Sequence, residues 1–331
     1  MQSNPTISIV IPIRDSLNTL LDTLVSISAQ TVSPDEVIVV DDGSREPVKT
    51  ALGDTSISVK RLPESQGPAT ARNIGAESAQ SDIVLFVDAD VLLQPNVVER
   101  VRNAMNDNPK IAALQGVYTQ KVSADSNLFT RYQNHYYTFA FNAIGAESPA
   151  LCATFCFAVR RAVFLQMGGF DTDILKPTVE DEAFGYALEA AGHTILLDKD
   201  LQVMHLARYQ FRGLISRKFR MSYYQAKSLL RGNRPPLSTA SSKNKTHHPI
   251  DTIAAVLLSP ILLVSLLLHF PTFLLVALGY TAANARFWRY LFQAEPPIFA
   301  VEMLVLTWLD QMTIFCGLTA GSIAFLFKRT Y

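Results

Sequence analysis

The first part of the chain alternates short apolar runs with longer amphipathic segments. Apolar runs at 7–13, 36–40 and 82–87, rich in β-branched residues, predict buried strands, and 57–61 predicts a weaker one. A helix is predicted after Ser16, where Leu17, Leu20, Leu21 and Leu24 share one face. Gly67-Pro68 predicts a second helix, because proline suits the first helical turn, and a third, rich in Val and Met on one side, is predicted from Pro95. Strands that alternate with helices indicate a parallel sheet with crossover connections. We therefore predict an α/β fold with a Rossmann-like, mostly parallel sheet.

The pattern becomes less regular after residue 110. Strands are predicted at 111–118, 154–159, 193–197 and 201–205, and the aromatic segment 132–139 is predicted to be helical. A further helix is expected to begin at Thr178-Val179-Glu180-Asp181, because the helix dipole favours acidic residues in the first turn.

Residues 211–230 mix basic side chains with Phe, Leu, Ile, Met and Tyr. This pattern predicts an amphipathic helix on an anionic membrane surface, followed by a linker over 232–248.

The C-terminal part is apolar. No Asp, Glu, Lys or Arg occurs between 253 and 285, and a second long apolar run covers 298–327. Such lengths predict transmembrane helices, with His269-Phe270-Pro271 as the turn of a hairpin. Basic residues in the linker, at Arg286 and Arg289 and at the C-terminal end, predict cytoplasmic segments. They therefore predict either an even number of crossings or a broken or re-entrant final segment. We predict a catalytic domain over 1–210, an interface helix and linker over 211–249, and a multi-pass region over 250–331 in the inner (cytoplasmic) membrane, with the catalytic domain facing the cytoplasm.

Composition narrows the class of protein. The 29 basic and 29 acidic residues give no net charge, which argues against a nucleic-acid partner. The three cysteines have no zinc or redox spacing. The first apolar run is short and contains Pro12, so we expect no signal peptide there.

Candidate chemistry begins at Asp88-Ala89-Asp90, directly after the strand at 82–87. Side chains at i and i+2 leave a strand on the same side, so Asp88 and Asp90 predict a Mg²⁺ or Mn²⁺ site. His205, at the end of a predicted strand, is a possible further ligand.

Two more motifs follow predicted strands. Asp41 and Asp42 could accept hydrogen bonds from a nucleobase or ribose, and Arg72 lies early in a helix whose N-terminus attracts phosphate. Ligands bind at the carboxyl ends of strands in such sheets, so we expect these acidic turns to meet at one edge. Either Glu180 or Asp181 could be a general base for an acceptor hydroxyl.

Together these motifs resemble family 2 glycosyltransferases over about residues 7–210. The motifs, in the family's order, are Pro12, Asp41-Asp42-Gly43-Ser44, Gly67 to Gly75 with Arg72, Asp88-Ala89-Asp90, Gly168-Gly169-Phe170-Asp171, Glu180-Asp181 and Ala191-Gly192-His193.

The resemblance implies the nucleotide-diphospho-sugar transferase fold and an inverting, metal-dependent hexosyl transfer from a nucleotide-diphospho-sugar. It implies Asp181 as the base with Glu180 beside it, and Asp90 and His205 as metal ligands. It also implies that nucleotide-binding residues come from five positions: Pro12, Asp41, Asp42, Arg72 and Asp88. One departure from the family pattern is Arg14-Asp15, where Tyr-Asn-Glu is more usual.

The expected acceptor is lipid-linked or a glycan, in cell-surface glycan or glycolipid synthesis, with membrane lipid as a further partner. Two alternatives remain open. Asp88 could be the nucleophile of a haloacid-dehalogenase-type phosphatase, or the chain could be a membrane subunit that binds nucleotide sugars without turnover.

Overall fold

The computed structural model describes residues 4–53, 56–119, 126–144, 151–172, 179–230 and 250–328. The chain divides into two compact units. Of the described residues, those within 4–119 and 144–207 form the sheet unit, and those within 126–143, 208–230 and 250–328 form the helical unit.

The sheet unit contains one eight-stranded mixed sheet. Its strands are β1 (Ile7–Ile13), β2 (Glu36–Asp41), β3 (Ser58–Arg61), β4 (Ile83–Val87), β5 (Val91–Leu93), β6 (Ile111–Tyr118), β7 (Cys156–Arg160) and β8 (Thr194–His205). Their order is β3-β2-β1-β4-β7-β6-β8-β5. The first four are parallel, β7 runs antiparallel to both neighbours, β6 and β8 are parallel, and β5 is antiparallel to β8.

This topology confirms the predicted α/β class, with two local differences. The predicted strands at 193–197 and 201–205 are one strand, β8. Its register against β6 shifts between Leu197 and Gln202, so the polar residues between them form an irregularity within the strand instead of ending it. The three-residue strand β5 was not predicted because it is too short to show a period.

Six helices belong to the sheet unit: α1 (Leu17–Ser28), α2 (Val48–Leu52), α3 (Pro68–Ser78), α4 (Val97–Asp107), α6 (Arg161–Gln166) and α7 (Glu180–Ala190). An aromatic cluster fixes α7 against the sheet. Phe86 of β4 lies 5.2 Å from the rings of Phe164 and Phe170, and Phe184 of α7 lies 5.1 Å from both. These buried contacts set where the first turn of α7 lies relative to the end of β4.

The helical unit contains α5 (Leu128–Ala143), α8 (Phe211–Leu230), α9 (Ile250–Leu268), α10 (Phe270–Ala294) and α11 (Pro297–Lys328). The sequence analysis placed α5 in the catalytic domain, but in the structure it clusters with the C-terminal helices. Polar contacts hold it there: Tyr132 donates a hydrogen bond to Asp310, and His135 contacts Glu295 at 2.7 Å.

Helix α8 has the predicted bounds, but its basic side chains do not all lie on an exposed face. Lys218 and Lys227 are buried, and Lys218 Nζ lies 3.0 Å from Asp310 Oδ2 of α11. Gly317 and Gly321 of α11 let the two helices approach closely, since a Cβ at Gly317 would lie 2.6 Å from the Phe219 carbonyl oxygen.

Among the described residues, two helices are long and apolar enough to cross a membrane, over Asp251–Leu268 and Pro297–Phe327. The break predicted at His269 separates α9 from α10.

Candidate active site

The turn after β2 is built around Asp41, which is buried. Its carboxylate accepts hydrogen bonds from the Ser44 and Val48 backbone N–H groups at 2.8 and 3.2 Å and from Arg61 Nη1 at 2.6 Å. Burial alone would raise the pKa of Asp41, but these hydrogen bonds and the Arg61 charge outweigh it, so this pKa lies below its ordinary value. Asp41 therefore holds the turn together as a carboxylate.

Asp42 connects this turn to helix α3. Its carboxylate accepts from the backbone N–H groups of Gln66 and Gly67 at 2.7 and 3.1 Å and from the Ser65 hydroxyl at 2.8 Å. Gly43 is required beside it, because its φ is 67° and a Cβ there would lie 2.7 Å from the Glu64 backbone. The acidic turn thus fixes the point at which α3 begins.

A cavity of about 370 Å³ opens beyond the carboxyl ends of β1 and β2. The departure from the family pattern lies here: Asp15 has a φ of 54° and accepts a hydrogen bond from the Arg45 backbone N–H at 2.9 Å. Pro12 does not line this cavity; it is paired with Val40 inside the sheet. The cavity is lined by Asp15, Ser16, Leu17, Ser44, Arg45, Glu46 and Val48. The sequence analysis named some of these residues, such as Asp15 and Ser44, but did not predict that they share a cavity.

Arg72 joins three distant segments of the chain. This buried side chain on α3 donates from Nη2 to Asp88 at 2.9 Å and from Nη1 to Glu180 at 3.1 Å. Burial would lower the pKa of Arg72, but the charges of Asp88, Glu180 and Asp181 outweigh it and raise this pKa. The guanidinium is therefore a fixed positive charge beside the end of β4 and the start of α7.

Asn73, the next residue, makes a contact that the sequence analysis missed. Its amide donates to the Phe170 carbonyl and accepts from the Phe170 N–H, both at 2.9 Å. Gly169 makes the approach possible, because a Cβ there would lie 2.6 Å from Asn73 Oδ1. This clamp ties α3 to the Gly168–Asp171 turn, and the Arg-Asn pair followed by a distant Gly-Gly turn was its only sequence signal.

Glu180 and Asp181 have different surroundings although they are adjacent. Glu180 is buried in its ion pair with Arg72, whereas Asp181 is half-buried and accepts a hydrogen bond from the Glu182 N–H at 2.8 Å. Desolvation and the neighbouring Glu180 raise the pKa of Asp181 to about 7, against the opposing effect of Arg72. A carboxyl group with this proton affinity can accept a proton near neutral pH.

Asp90 and His205, the two residues predicted as metal ligands, lie close together, with Asp90 Oδ2 3.3 Å from His205 Nε2. The Tyr118 ring, stacked on Phe155, lies 5.3 Å from the imidazole. Within the described ranges no group of three or more His, Cys, Asp or Glu residues could hold a metal. One carboxylate and one imidazole nevertheless fit a divalent ion whose other positions are filled by phosphate oxygens and water.

These contacts link several of the predicted site residues, each to the next. Asp42 holds the start of α3, α3 carries Arg72, and Arg72 contacts Asp88 and Glu180. Asp90, which contacts His205, follows Asp88 by two residues along the chain.

Comparison with known proteins agrees with this architecture. Residues 8–168 match the family model described as glycosyl transferase family 2. Over its full length the fold is similar to a mannosyltransferase from Pyrobaculum calidifontis whose structure holds GDP-Man and Mn²⁺. The TM-score is 0.59 at 18% identity, covering 99% of this chain and 89% of that one.

Two relatives extend the comparison. The "Uncharacterized glycosyltransferase YwdF" of Bacillus subtilis is 30% identical over 51% of this chain, which spans 63% of that protein. The "Glucosyl-dolichyl phosphate glucuronosyltransferase" of Haloferax volcanii is 26% identical over 61% of this chain and 70% of its own length. The match over residues 8–168 supports a family 2 glycosyltransferase and favours this family over the phosphatase interpretation of Asp88.

Proposed function

We propose that the protein transfers a sugar, with inversion, from a nucleotide-diphospho-sugar to an acceptor hydroxyl or phosphate. The match of residues 8–168 to glycosyl transferase family 2 supports glycosyl transfer as the class of reaction. The single observation that carries the proposal is the fixed Arg72 charge, held between Asp88 and Glu180 in the same sheet unit as the half-buried Asp181. Such a charge can stabilise a departing diphosphate, and the adjacent carboxyl group can take a proton.

The nucleotide would bind at the carboxyl ends of β1, β2 and β4. The cavity beside Asp41 and Asp42 would take the base and ribose, with Pro12 shaping the strand beneath. Arg72, oriented by Asp88, would face the diphosphate. Asp90 and His205 would hold a divalent cation, Mg²⁺ or Mn²⁺, which when bound offsets negative charge on the diphosphate.

Asp181 would act as the base. It would take the proton of an acceptor hydroxyl while the hydroxyl oxygen forms a bond to the anomeric carbon. The bond from that carbon to the diphosphate oxygen breaks on the opposite face, and the nucleoside diphosphate leaves with the electron pair. Glu180 contributes by holding Arg72 and by raising the proton affinity of Asp181.

We further propose a lipid-linked or glycan acceptor in cell-surface glycan or glycolipid synthesis. The dolichyl phosphate in the name of the Haloferax relative and the apolar helices support a lipid-linked one. The helices would associate with the inner membrane, with the sheet unit in the cytoplasm.

The test is a panel of nucleotide sugars with Mn²⁺ or Mg²⁺ and membrane extract, following free nucleotide and glycosylated product. We expect one donor class to be turned over by the wild type and by Glu182→Gln, and hydroxyl transfer to be lost in Asp181→Asn. Transfer to an already ionised phosphate should survive Asp181→Asn. Donor binding without turnover on any acceptor would support the non-catalytic subunit instead.

A further inference from the structure

Helices α9 and α10 form a hairpin with a charged end and a charge-free end. Asp251 and Arg286 form an ion pair, Oδ2 to Nη1 3.4 Å, and no Asp, Glu, Lys or Arg lies between them in the chain. From this pair to the break at His269, each arm is about 25 Å long at 1.5 Å per residue. That length is slightly less than the roughly 30 Å thickness of a bilayer's hydrocarbon core.

The most exposed apolar side chains of the hairpin lie on both sides of the break at His269. Leu267 and Leu268 of α9 are 75% and 78% exposed, and Phe270, Leu275 and Leu278 of α10 are 60%, 72% and 70% exposed. A loop that emerged into water on the far side of a membrane would not be expected to carry such a surface. The tip is therefore suited to contact with acyl chains.

Three backbone N–H groups around the break, those of His269, Thr272 and Phe273, are paired within the hairpin. The His269 N–H donates to the Ser265 carbonyl at 2.9 Å, and the Phe273 N–H donates to the His269 carbonyl at 3.1 Å. His269 Nδ1 accepts from the Thr272 hydroxyl at 2.8 Å and from its N–H at 3.4 Å, and Pro271 has no N–H to satisfy. Backbone in hydrocarbon needs this internal pairing because no water is present to replace it.

Cationic side chains occur at the opposite end. Arg286 and Arg289 are exposed on α10, in line with Leu275 and Leu278 at helical spacing, so one stripe changes from apolar to basic away from the tip. This polarity is complementary to the anionic headgroups of a single leaflet.

We propose that the α9–α10 hairpin is a re-entrant element that enters and leaves the membrane through the same face. Its tip at 268–271 lies among acyl chains, below the far headgroups, and Arg286 and Arg289 lie among the near headgroups. The occupant of the exposed apolar surface is thus lipid. This inference concerns membrane attachment and does not depend on the transferase proposal.

The test uses the full chain with Cys316→Ser, since Cys152 and Cys156 are buried. Phe270→Cys and the control Arg289→Cys are each labelled with bimane, and the chain is reconstituted in phosphatidylcholine–phosphatidylglycerol vesicles containing acyl-brominated lipid. We expect strong quenching at position 270 and little at position 289. Before labelling, an impermeant thiol reagent should reach position 289 from one side and position 270 from neither.

Three results would overturn the proposal. Reaction at position 270 from the side opposite to position 289 would show a spanning hairpin with an aqueous loop. Reaction from the same side as position 289 would show that the tip is outside the membrane. Cross-linking of two chains through Phe270→Cys, without lipid quenching, would show that a second copy covers the tip.

A charge at the tip gives a second measurement. Leu267→Arg should reduce retention of the chain in membranes after an alkaline wash, because a charged side chain in hydrocarbon is unfavourable. Leu230→Arg, at a 47% exposed position on α8, is the matched control and should be retained like the wild type. Equal retention of both variants would contradict the proposal.

Discussion

Arg72 and Glu180 lie 108 positions apart in the chain, yet Arg72 Nη1 and Glu180 Oε1 are 3.1 Å apart and both side chains are buried. Helix α3 and helix α7 are thus joined by an ion pair that is also part of the candidate active site.

Removing one partner of this pair should destabilise the sheet unit. In Glu180→Ala the buried Arg72 guanidinium loses one of its two hydrogen-bonded carboxylates, so we expect the free energy of unfolding to fall by about 3 kcal/mol. Urea unfolding followed by near-UV circular dichroism measures it, with Glu182→Ala as the neighbouring control. A double-mutant cycle with Arg72→Ala should show strong coupling between positions 72 and 180, and additive effects would contradict the pairing.

The raised pKa of Asp181 predicts a pH dependence of turnover. Below about pH 7 the carboxyl group is protonated and cannot accept a proton, so kcat/KM for a hydroxyl acceptor should fall about tenfold per pH unit. This fall of kcat/KM at acid pH should disappear in Asp181→Asn, whose residual rate should not change over the same pH range. A fall that persists in Asp181→Asn and vanishes in Glu180→Gln would assign the base to Glu180.

The same pKa shift predicts the direction of a stability change. The native state holds the Asp181 proton more tightly than the unfolded chain, whose aspartate titrates near its ordinary value of 3.8. The stability contributed by protonated Asp181 is therefore complete at acid pH and declines as pH rises from about 3.8 to about 7. Asp181→Asn should remove this slope in denaturant unfolding measured at a series of pH values, and an unchanged slope would contradict the shift.

The Asn73 clamp can be tested with a pair of glycines. Gly169→Ala should lower thermal stability through both its positive φ of 73° and a clash with Asn73 Oδ1. Gly168→Ala is matched, since its φ is 82° but a Cβ would meet nothing within 4 Å. In an Asn73→Ala background the two alanine variants should become similar, and a difference that survives there would show that Asn73 is not the obstacle.

Loss of the proposed metal ligands should weaken cation binding itself. Asp90→Ala and His205→Ala should each reduce Mn²⁺ affinity at least about tenfold, measured by the electron paramagnetic resonance of free Mn²⁺ with nucleoside diphosphate present. His193→Ala, at a half-buried histidine outside the Asp90–His205 pair, is the control. Unchanged Mn²⁺ affinity in both ligand variants would place the ion elsewhere.

Most strands and helices were predictable because apolar period and turn chemistry are local properties. The acidic ends of β2 and β4 could be found in the same way, since position in a strand fixes where a side chain leaves the sheet. The Asn73–Phe170 clamp could not, because it depends on a turn 97 residues away.

The assignment of α5 shows the same limit in the helical unit. Its aromatic pattern predicted a helix, but its partners Glu295 and Asp310 lie 160 and 178 positions further along the chain. Nothing local to Tyr132 or His135 distinguishes a side chain that packs on the sheet from one that bonds to a distant carboxylate.

Helix α5 belongs to the helical unit although it lies between two segments of the sheet unit in the sequence. This order has a practical consequence for isolating the sheet unit. A fragment that stops near residue 210 keeps α5 but lacks Glu295 and Asp310. Arg131, Tyr132 and His135 then lose the carboxylates that they contact in the whole chain, and the face of α5 that carries them is left uncovered.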